Sequence, residues 1–513
     1  MALDDAKIAA IVDQVLNRLG EGAGRASPPP PAPHPAPRPA APPPPPAPAA
    51  SLARPSSPRP ERTGPPYGVQ PAFRAGLGRG LYPDLDSAVK AATAAYRIWG
   101  ETKVADRIKA IDAIRAWGRA HAREMAERAV EESGLGRVED KIVKNLLCVD
   151  KTPGPEILTP RVITGDSGLT LVERAPFGVI GAITPVTNPA VTLLNNGISM
   201  IAGGNAVVFN VHPSAQKLCN WVIQNMNDMI TGQGGPPDLL TAPFEPTIKS
   251  AQELMTHPGI RLLVVTGGGE VVRLAMKSGK RCVAAGPGNP PAVVDETADV
   301  EQAGRDIVAG ASFDNNLICI LEKEVVAVAA ICDRLKSSMS RHGGYELTGP
   351  EIDAVLRTVT TDNGTHLNRK WVGKNAQLIL RAAGIGVGSE VRLAFAEVPE
   401  SHPFVQLELM MPVLGVVRVP DVDEAIRCAV RVERGCYHTA TMHSNDIRNL
   451  DKMARACNTS IFVKNAPSYA GLGNGGEGYT AWTIASPTGD GCTTAWTFTR
   501  ERRCTLAGHL RIV

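Results

Sequence analysis

The chain has 513 residues, a formal charge of +3 and 43% hydrophobic residues, a length that calls for two or three domains. A charge so close to balance gives no electrostatic footprint for nucleic acid or an anionic membrane, and no stretch approaches the roughly 18–20 uninterrupted apolar residues of a membrane-spanning helix. The 10 cysteines are scattered singly, without the CxxC or Cys/His spacing of a metal site, and no disulfide framework is expected.

The first predicted element is LDDAKIAAIVDQVLNRLG, residues 3–20. Ile8, Ile11, Val12, Val15 and Leu19 draw one apolar stripe along a helix, Asp4 and Asp5 suit the positive end of its dipole, and Gly20 can stop it. The acidic start lacks the apolar run of a secretory signal, and Asp4, Asp5 and Asp13 do not suit a mitochondrial transit peptide. A helix this short is marginal alone in water, so its stripe is expected to dock, on its own chain or as an address on another protein. Residues 21–66 hold close to half of the 43 prolines, in runs such as APPPPPAPAA, and are expected to be a disordered, partly polyproline linker.

From residue 67 onward the pattern is α/β. Helical periodicity dominates 85–148, as in LDSAVKAATAAYRIWG, and VITGDSGLTLVERAPFGV predicts a hairpin near 160–176 that turns at GDSG. The β-rich runs FGVIGAIT, NAVVFNV, IRLLVVTG, PAVVDE, VLGVVRV and TSIFVKN then alternate with helical stretches, which predicts doubly wound parallel sheets.

Two places in this region carry chemistry. In IRLLVVTGGGEVVRLAMKSG a strand passes through Gly267, Gly268 and Gly269 into a helix, whose N-terminal N–H groups can receive a phosphate. The turn lacks GxGxxG, and glycines at such turns also serve packing. Cys319, in FDNNLICILEKEV, follows Asn315 and Asn316, polar residues that suit a site better than a core. As a nucleophile its thiol needs a local field that favours the thiolate; otherwise it is one more small buried hydrophobe.

The motifs PFGVIGAITPVTNP, GGNAVVFNVHPSA, VVTGGGEVV, AAGPGNPPAVVDETAD, GASFDNNLICILEKEV and LELMMPVLGV succeed one another in the order of the aldehyde dehydrogenase superfamily. Residues 67–513 resemble most closely its CoA-acylating branch, the propionaldehyde and acetaldehyde dehydrogenases of bacterial microcompartments. The resemblance implies an aldehyde dehydrogenase-like α/β fold: a Rossmann-like NAD-binding domain over 67–288, a catalytic α/β domain over 289–483, and a segment 484–513 returning to the cofactor region. With the hairpin, that segment is expected to support a homo-oligomer, a dimer or a tetramer.

The same resemblance makes Cys319 the nucleophile that captures a short-chain aldehyde, first of all propionaldehyde, and passes hydride to NAD. The oxyanion would be held by the backbone N–H of Cys319 and a side chain of TPVTNP. Hydrolytic relatives place asparagine where Thr187 stands, with Asn188 next to it, so either can be the donor. Cofactor contacts are implied for His212 and Pro213, for Thr266 with Gly267, Gly268 and Gly269, for Gly286, and for Glu408 on the nicotinamide ribose. His212 stands where hydrolytic relatives place lysine; with no cation there for a 2′-phosphate, NAD is expected over NADP. His438 can be a site residue or an ordinary core histidine.

Ala284 aligns with the glutamate that activates water in hydrolytic members, and alanine cannot accept a proton. A CoA thiol, a few per cent ionised near neutral pH, needs less help, so CoA is the expected acyl acceptor. Residues 3–20 would then address the enzyme to a shell protein, placing it in a microcompartment lumen within the bacterial cytoplasm. The alternatives are a hydrolytic dehydrogenase using another base, and a non-catalytic shell-binding scaffold.

Overall fold

The computed structural model describes residues 77–511. The expected docking helix at 3–20 and the Pro-rich linker at 21–66 lie outside the described residues. After β1 (Leu81–Tyr82) come four helices, α1 (Leu85–Glu101), α2 (Val104–Ala120), α3 (Ala122–Ser133) and α4 (Val138–Lys151), across the stretch read as helical. Asp84 caps α1 by accepting from the Ser87 N–H at 2.7 Å, and Gly134 ends α3 in the left-handed region at φ 68°. The buried face of α4 is unusual, because it includes Lys141, Lys144 and Asn145.

The hairpin forms as GDSG indicates: β2 (Arg161–Gly165) and β3 (Gly168–Pro176) pair antiparallel, with Gly165 opposite Gly168. The next strands are β4 (Val179–Ile183), β5 (Ala206–Asn210), β6 (Leu240–Pro243), β7 (Leu262–Thr266) and β8 (Cys282–Ala285). With β1 they form a parallel sheet in the order β1-β6-β5-β4-β7-β8. Every residue of β4 and β5 is buried, as in sheets covered on both faces. The chain moves from β4 to β5 and β6 on one side and later adds β7 and β8 on the other. A crevice therefore opens beyond the carboxyl ends of β4 and β7, where doubly wound sheets receive ligands. The connecting helices are α5 (Pro189–Ala202), α6 (Gln216–Gly232), α7 (Ile248–Thr256) and α8 (Gly269–Met276).

A second sheet follows, with α9 (Val300–Ser312) between its first two strands. It contains β9 (Pro291–Val294), β10 (Glu324–Val328), β11 (Gly344–Glu346), β12 (Leu393–Glu397), β13 (Val413–Val419), β14 (Thr439–His443) and β15 (Ile461–Lys464). All pair parallel, in the order β11-β12-β13-β10-β9-β14-β15. Finally β16 (Thr499–Ala507) lies antiparallel along β3, from Thr499 opposite Pro176 to Ala507 opposite Gly168. The C-terminal segment thus returns to the hairpin. The return starts before residue 484, because Leu472, Ala481 and Trp482 already belong to the core of the first sheet.

Ile318, Ile320 and Leu321 pack into that first core, whereas Val325 and Val326 of β10 belong to the second sheet. The segment carrying Cys319 is therefore the seam between the two sheets. Cys148, Cys219, Cys332, Cys428 and Cys457 are buried, as small hydrophobes are. Among the described residues no helix is long and apolar enough to cross a membrane.

Candidate active site

Gly288 precedes β9, Cys319 precedes β10, Glu408 precedes β13 and His438 precedes β14. These strands are neighbours in the order β13-β10-β9-β14, so parallel pairing brings four sequence-distant residues to one edge. It is the amino-terminal edge of the second sheet. Thr187 and Asn188 follow β4, and Gly267, Gly268 and Gly269 follow β7, at the carboxyl edge of the first sheet.

The Cys319 loop starts at the end of α9 and runs through Asp314, Asn315 and Asn316 with φ of 45°, 54° and 64°. Left-handed backbone costs about 1–2 kcal/mol per residue for ordinary side chains and less for Asn and Asp. The side chains of these three residues hold the turn. The Asp314 carboxylate accepts from the Arg137 N–H at 2.8 Å, from Lys141 Nζ at 3.0 Å and from Lys144 Nζ. Asn315 Nδ2 donates to the Gly373 carbonyl and Asn375 Oδ1, both at 2.8 Å. Asn316 Nδ2 donates to the carbonyls of Ala311 at 2.8 Å and Glu322 at 3.0 Å. Both asparagines are buried, so they build the loop, whereas the sequence had suggested residues facing an open site. Lys323 grips the same turn, donating to Asn316 O at 3.0 Å, Asn316 Oδ1 at 2.5 Å and Ile318 O at 3.4 Å.

Cys319 itself is half-buried. Burial, and then the charge of Glu408, push its thiol up to about 12, while Lys323 pulls the other way. Burial raises Glu408 to about 7, against the opposing effects of Lys323 and the Gly288 N–H that its carboxylate accepts. A Cβ on Gly288 would lie 2.9 Å from both the Cys319 carbonyl and His438 Cγ, so only glycine lets these segments meet. His438 is therefore packed against the Cys319 loop. It is wholly buried and held down to about 4 by burial and by Lys323. Its Nδ1 lies 2.9 Å from Thr439 Oγ1, and its Nε2 has no hydrogen-bond partner among the described residues.

At the first sheet, Thr266 Oγ1 is 2.7 Å from Thr483 Oγ1, and the Gly267 N–H donates to the Ala285 carbonyl at 3.3 Å. Gly268 caps α8, and a Cβ there would meet nothing within 4 Å among the described residues, so their packing does not require this glycine. Open space before a helix N-terminus at the sheet's switch point fits the pyrophosphate of a dinucleotide. Gly286 follows β8, where a Cβ would come within 3.0 Å of Pro487 Cγ. His212 and Pro213 are exposed at the end of β5, and His212 Nδ1 accepts from the Ser214 N–H at 3.1 Å. Ala284 is wholly buried within β8, opposite Val265.

Thr187 is half-buried and Asn188 buried. Asn188 Oδ1 accepts from Lys144 Nζ at 2.6 Å, and Asn188 Nδ2 donates to Thr187 Oγ1 at 3.3 Å. The sequence reading missed Lys144, Asp314 and Lys323. The available signal was Lys141 and Lys144 on the same helical face of α4 as Cys148.

Residues 77–481 match the aldehyde dehydrogenase family. The acetaldehyde dehydrogenase (acetylating) EutE of Salmonella typhimurium is 50% identical over 439 residues, covering 85% of this chain and 94% of its own length. A Rhodopseudomonas palustris propionaldehyde dehydrogenase, solved with bound CoA and an acylated cysteine, matches with a TM-score of 0.83 at 45% identity, covering 85% of this chain and 100% of that one. The propionaldehyde dehydrogenase of the Clostridium phytofermentans fucose utilisation bacterial microcompartment matches with a TM-score of 0.83 at 46% identity, with coverage of 85% and 100%. With half of its aligned residues shared with an acetylating enzyme and its fold shared with propionaldehyde dehydrogenases, the chain belongs to the aldehyde dehydrogenase family.

Proposed function

We propose that the protein oxidises a short aldehyde, propionaldehyde first of all, to its acyl-CoA with NAD and CoA, through a thioester on Cys319. One observation carries the reading: Cys319 sits at the seam of the two sheets, on the strand edge it shares with Gly288, Glu408 and His438, while buried Ala284 leaves no carboxylate where hydrolysis would use one. The Cys319 thiolate, its proton released to solvent, adds to the aldehyde carbonyl. An S–C bond forms and the carbonyl oxygen becomes an alkoxide, met by the Cys319 N–H and by the Thr187–Asn188 segment. Bound nicotinamide supplies the hydride acceptor, and loss of hydride from the carbon leaves an acyl thioester. The CoA thiolate then attacks the acyl carbon, a second alkoxide forms at the same donors, and its collapse breaks the bond to Cys319. Acyl-CoA leaves and the Cys319 thiolate is restored. Water in place of CoA would need a base to remove its proton, and Ala284 offers none.

The open turn of Gly267, Gly268 and Gly269, with Thr266, Gly286 and Pro213 around it, supports a cofactor role for these residues, and the Glu408 carboxylate suits a ribose hydroxyl. Exposed His212, kept from charging by a lowered pKa, favours NAD over NADP. The stripe of residues 3–20 and the Pro-rich tether support an address read by a shell protein in a microcompartment lumen. The sheet β2-β3-β16, with Val162, Ile163 and Leu506 exposed, supports a homo-oligomer.

The test is turnover of two- to four-carbon aldehydes with NAD or NADP, with and without CoA. Acyl-CoA and reduced cofactor should appear together, only when CoA is present, and fastest with the three-carbon substrate. Cys319→Ala should abolish both while leaving the circular dichroism spectrum unchanged. Free acid formed at an equal rate without CoA would establish the hydrolytic alternative, and an inert wild-type protein would favour the scaffold.

A further inference from the structure

The buried face of α4 brings two ammonium groups, Lys141 and Lys144, into an interior where, among the described residues, Asp314 is the one carboxylate in salt-bridge contact with them. Asp140, Arg392 and Arg137 form an adjoining charged group, linked through the Asp314 N–H, which donates to Asp140 Oδ2 at 2.9 Å. One carboxylate cannot neutralise two lysines, and a buried cation needs its remaining hydrogens accepted. Lys144 places one on Asn188 Oδ1 at 2.6 Å, and Lys141 reaches the Thr187 carbonyl at 3.5 Å.

This contact removes an ambiguity. An ammonium group donates only, so the oxygen end of the Asn188 amide must face Lys144, and the nitrogen end must face away. Asn188 Nδ2 then donates to Thr187 Oγ1 at 3.3 Å. With a lone pair of its oxygen occupied, the Thr187 hydroxyl keeps its own hydrogen for another acceptor. Thr187 is half-buried while Asn188 is buried, so Thr187 is the one with access to the cleft. Asp314, at the other end of the chain of contacts, belongs to the left-handed turn that leads to Cys319.

We propose that Lys144, anchored by Asp314, is a positioning residue that locks the Asn188 amide and so makes the Thr187 hydroxyl the side-chain donor to the oxyanion formed at Cys319. This rests on the thioester reading of Cys319. One buried ion pair would thereby tie together both sides of the oxyanion site, the cysteine loop of one sheet and the β4 loop of the other.

The test is steady-state kinetics of the full-length enzyme with propionaldehyde, NAD and CoA, beside iodoacetamide alkylation of Cys319. Thr187→Val should lower kcat by about 10²–10³-fold, the usual loss for one oxyanion donor, with little change in KM or alkylation rate. Thr187→Ser should recover at least tenfold of that loss. Lys144→Met leaves Lys141 and Asp314 as a balanced pair; it should lower kcat comparably, and the double variant with Thr187→Val should be no worse than the poorer single one. If Lys144→Met does not fold, Asn188→Leu tests the same link and should lower kcat with the same split from KM. Multiplicative losses in the double variant, or near wild-type kcat in Thr187→Val, would overturn the proposal. If wild type makes acyl-CoA and Cys319→Ala does not, such a result overturns only the positioning relay; if Cys319→Ala still turns over, the thioester reading itself is wrong.

Discussion

Cys319, the proposed nucleophile, rests in an environment that opposes ionisation. Burial and Glu408 push the thiol up to about 12, and Lys323 is the cation that works against them. The balance can be reset by one neighbour, because Glu408 itself titrates near 7. A carboxylate disfavours the thiolate, so removing its charge lowers the thiol pKa, and one pKa unit is worth tenfold in thiolate below the pKa. Glu408→Gln should therefore raise the rate of Cys319 alkylation by iodoacetamide at pH 8 several-fold, even as turnover with NAD falls. In the wild type the alkylation rate should rise about tenfold per pH unit between pH 8 and 10. An alkylation rate that drops in Glu408→Gln would mean that this carboxylate helps the thiolate.

The elements around the site differ in what their glycines do. At Gly288 a side chain would collide with the Cys319 carbonyl and His438, so packing alone explains the glycine. At Gly268 the backbone is extended, φ −65° and ψ 159°, and a Cβ would meet nothing within 4 Å. Neither conformation nor packing among the described residues calls for glycine there, whereas the proposed approach of a cofactor phosphate would. Gly268→Val should change unfolding free energy by no more than about 0.5 kcal/mol while weakening NAD binding at least tenfold in a fluorescence titration. Unaltered affinity in a stable Gly268→Val protein would remove this turn from the cofactor site. The left-handed turn before Cys319 differs again, since Asp314, Asn315 and Asn316 adopt it without glycine and each ties its side chain into the surroundings.

Across the whole molecule, the carboxyl edge of one parallel sheet and the amino edge of another supply the residues of the candidate site, and the Cys319 segment leads from the core of the first sheet into β10 of the second. The third sheet lies apart in sequence logic: β16 comes back to pair along the full length of β3, leaving apolar side chains exposed on β2 and β16. Two truncations separate the two kinds of association proposed for this chain. Removing 499–513 should lower the mass measured by light scattering, because β3 loses its partner and the exposed face is broken. Removing 1–20 should leave mass and turnover as they were but release the enzyme from shell-containing particles. A 1–20 truncation that still co-purifies with the shell would rule out the address, and an unchanged mass after the 499–513 truncation would rule out β16 as an assembly element.

Local pattern was enough for the elements themselves: the helical stretch before 151, the hairpin turning at GDSG, the glycine turn into α8 and the alternation that yields parallel sheets are all set by short-range periodicity and turn chemistry. Ordered motifs further singled out Cys319 and the missing carboxylate at Ala284. What pairs across the fold was not legible. Asp314 and Lys144 are 170 residues apart in the chain, and nothing in the spacing of EDKIVKN or FDNNLIC says that they meet. The same holds for His438 against Gly288 and for Glu408 beside Cys319. A side chain's charge state, its hydrogen-bond direction and its cost of burial depend on neighbours that only the packed sheets bring within reach, so the sequence named the candidate nucleophile and the tertiary structure decided the field around it.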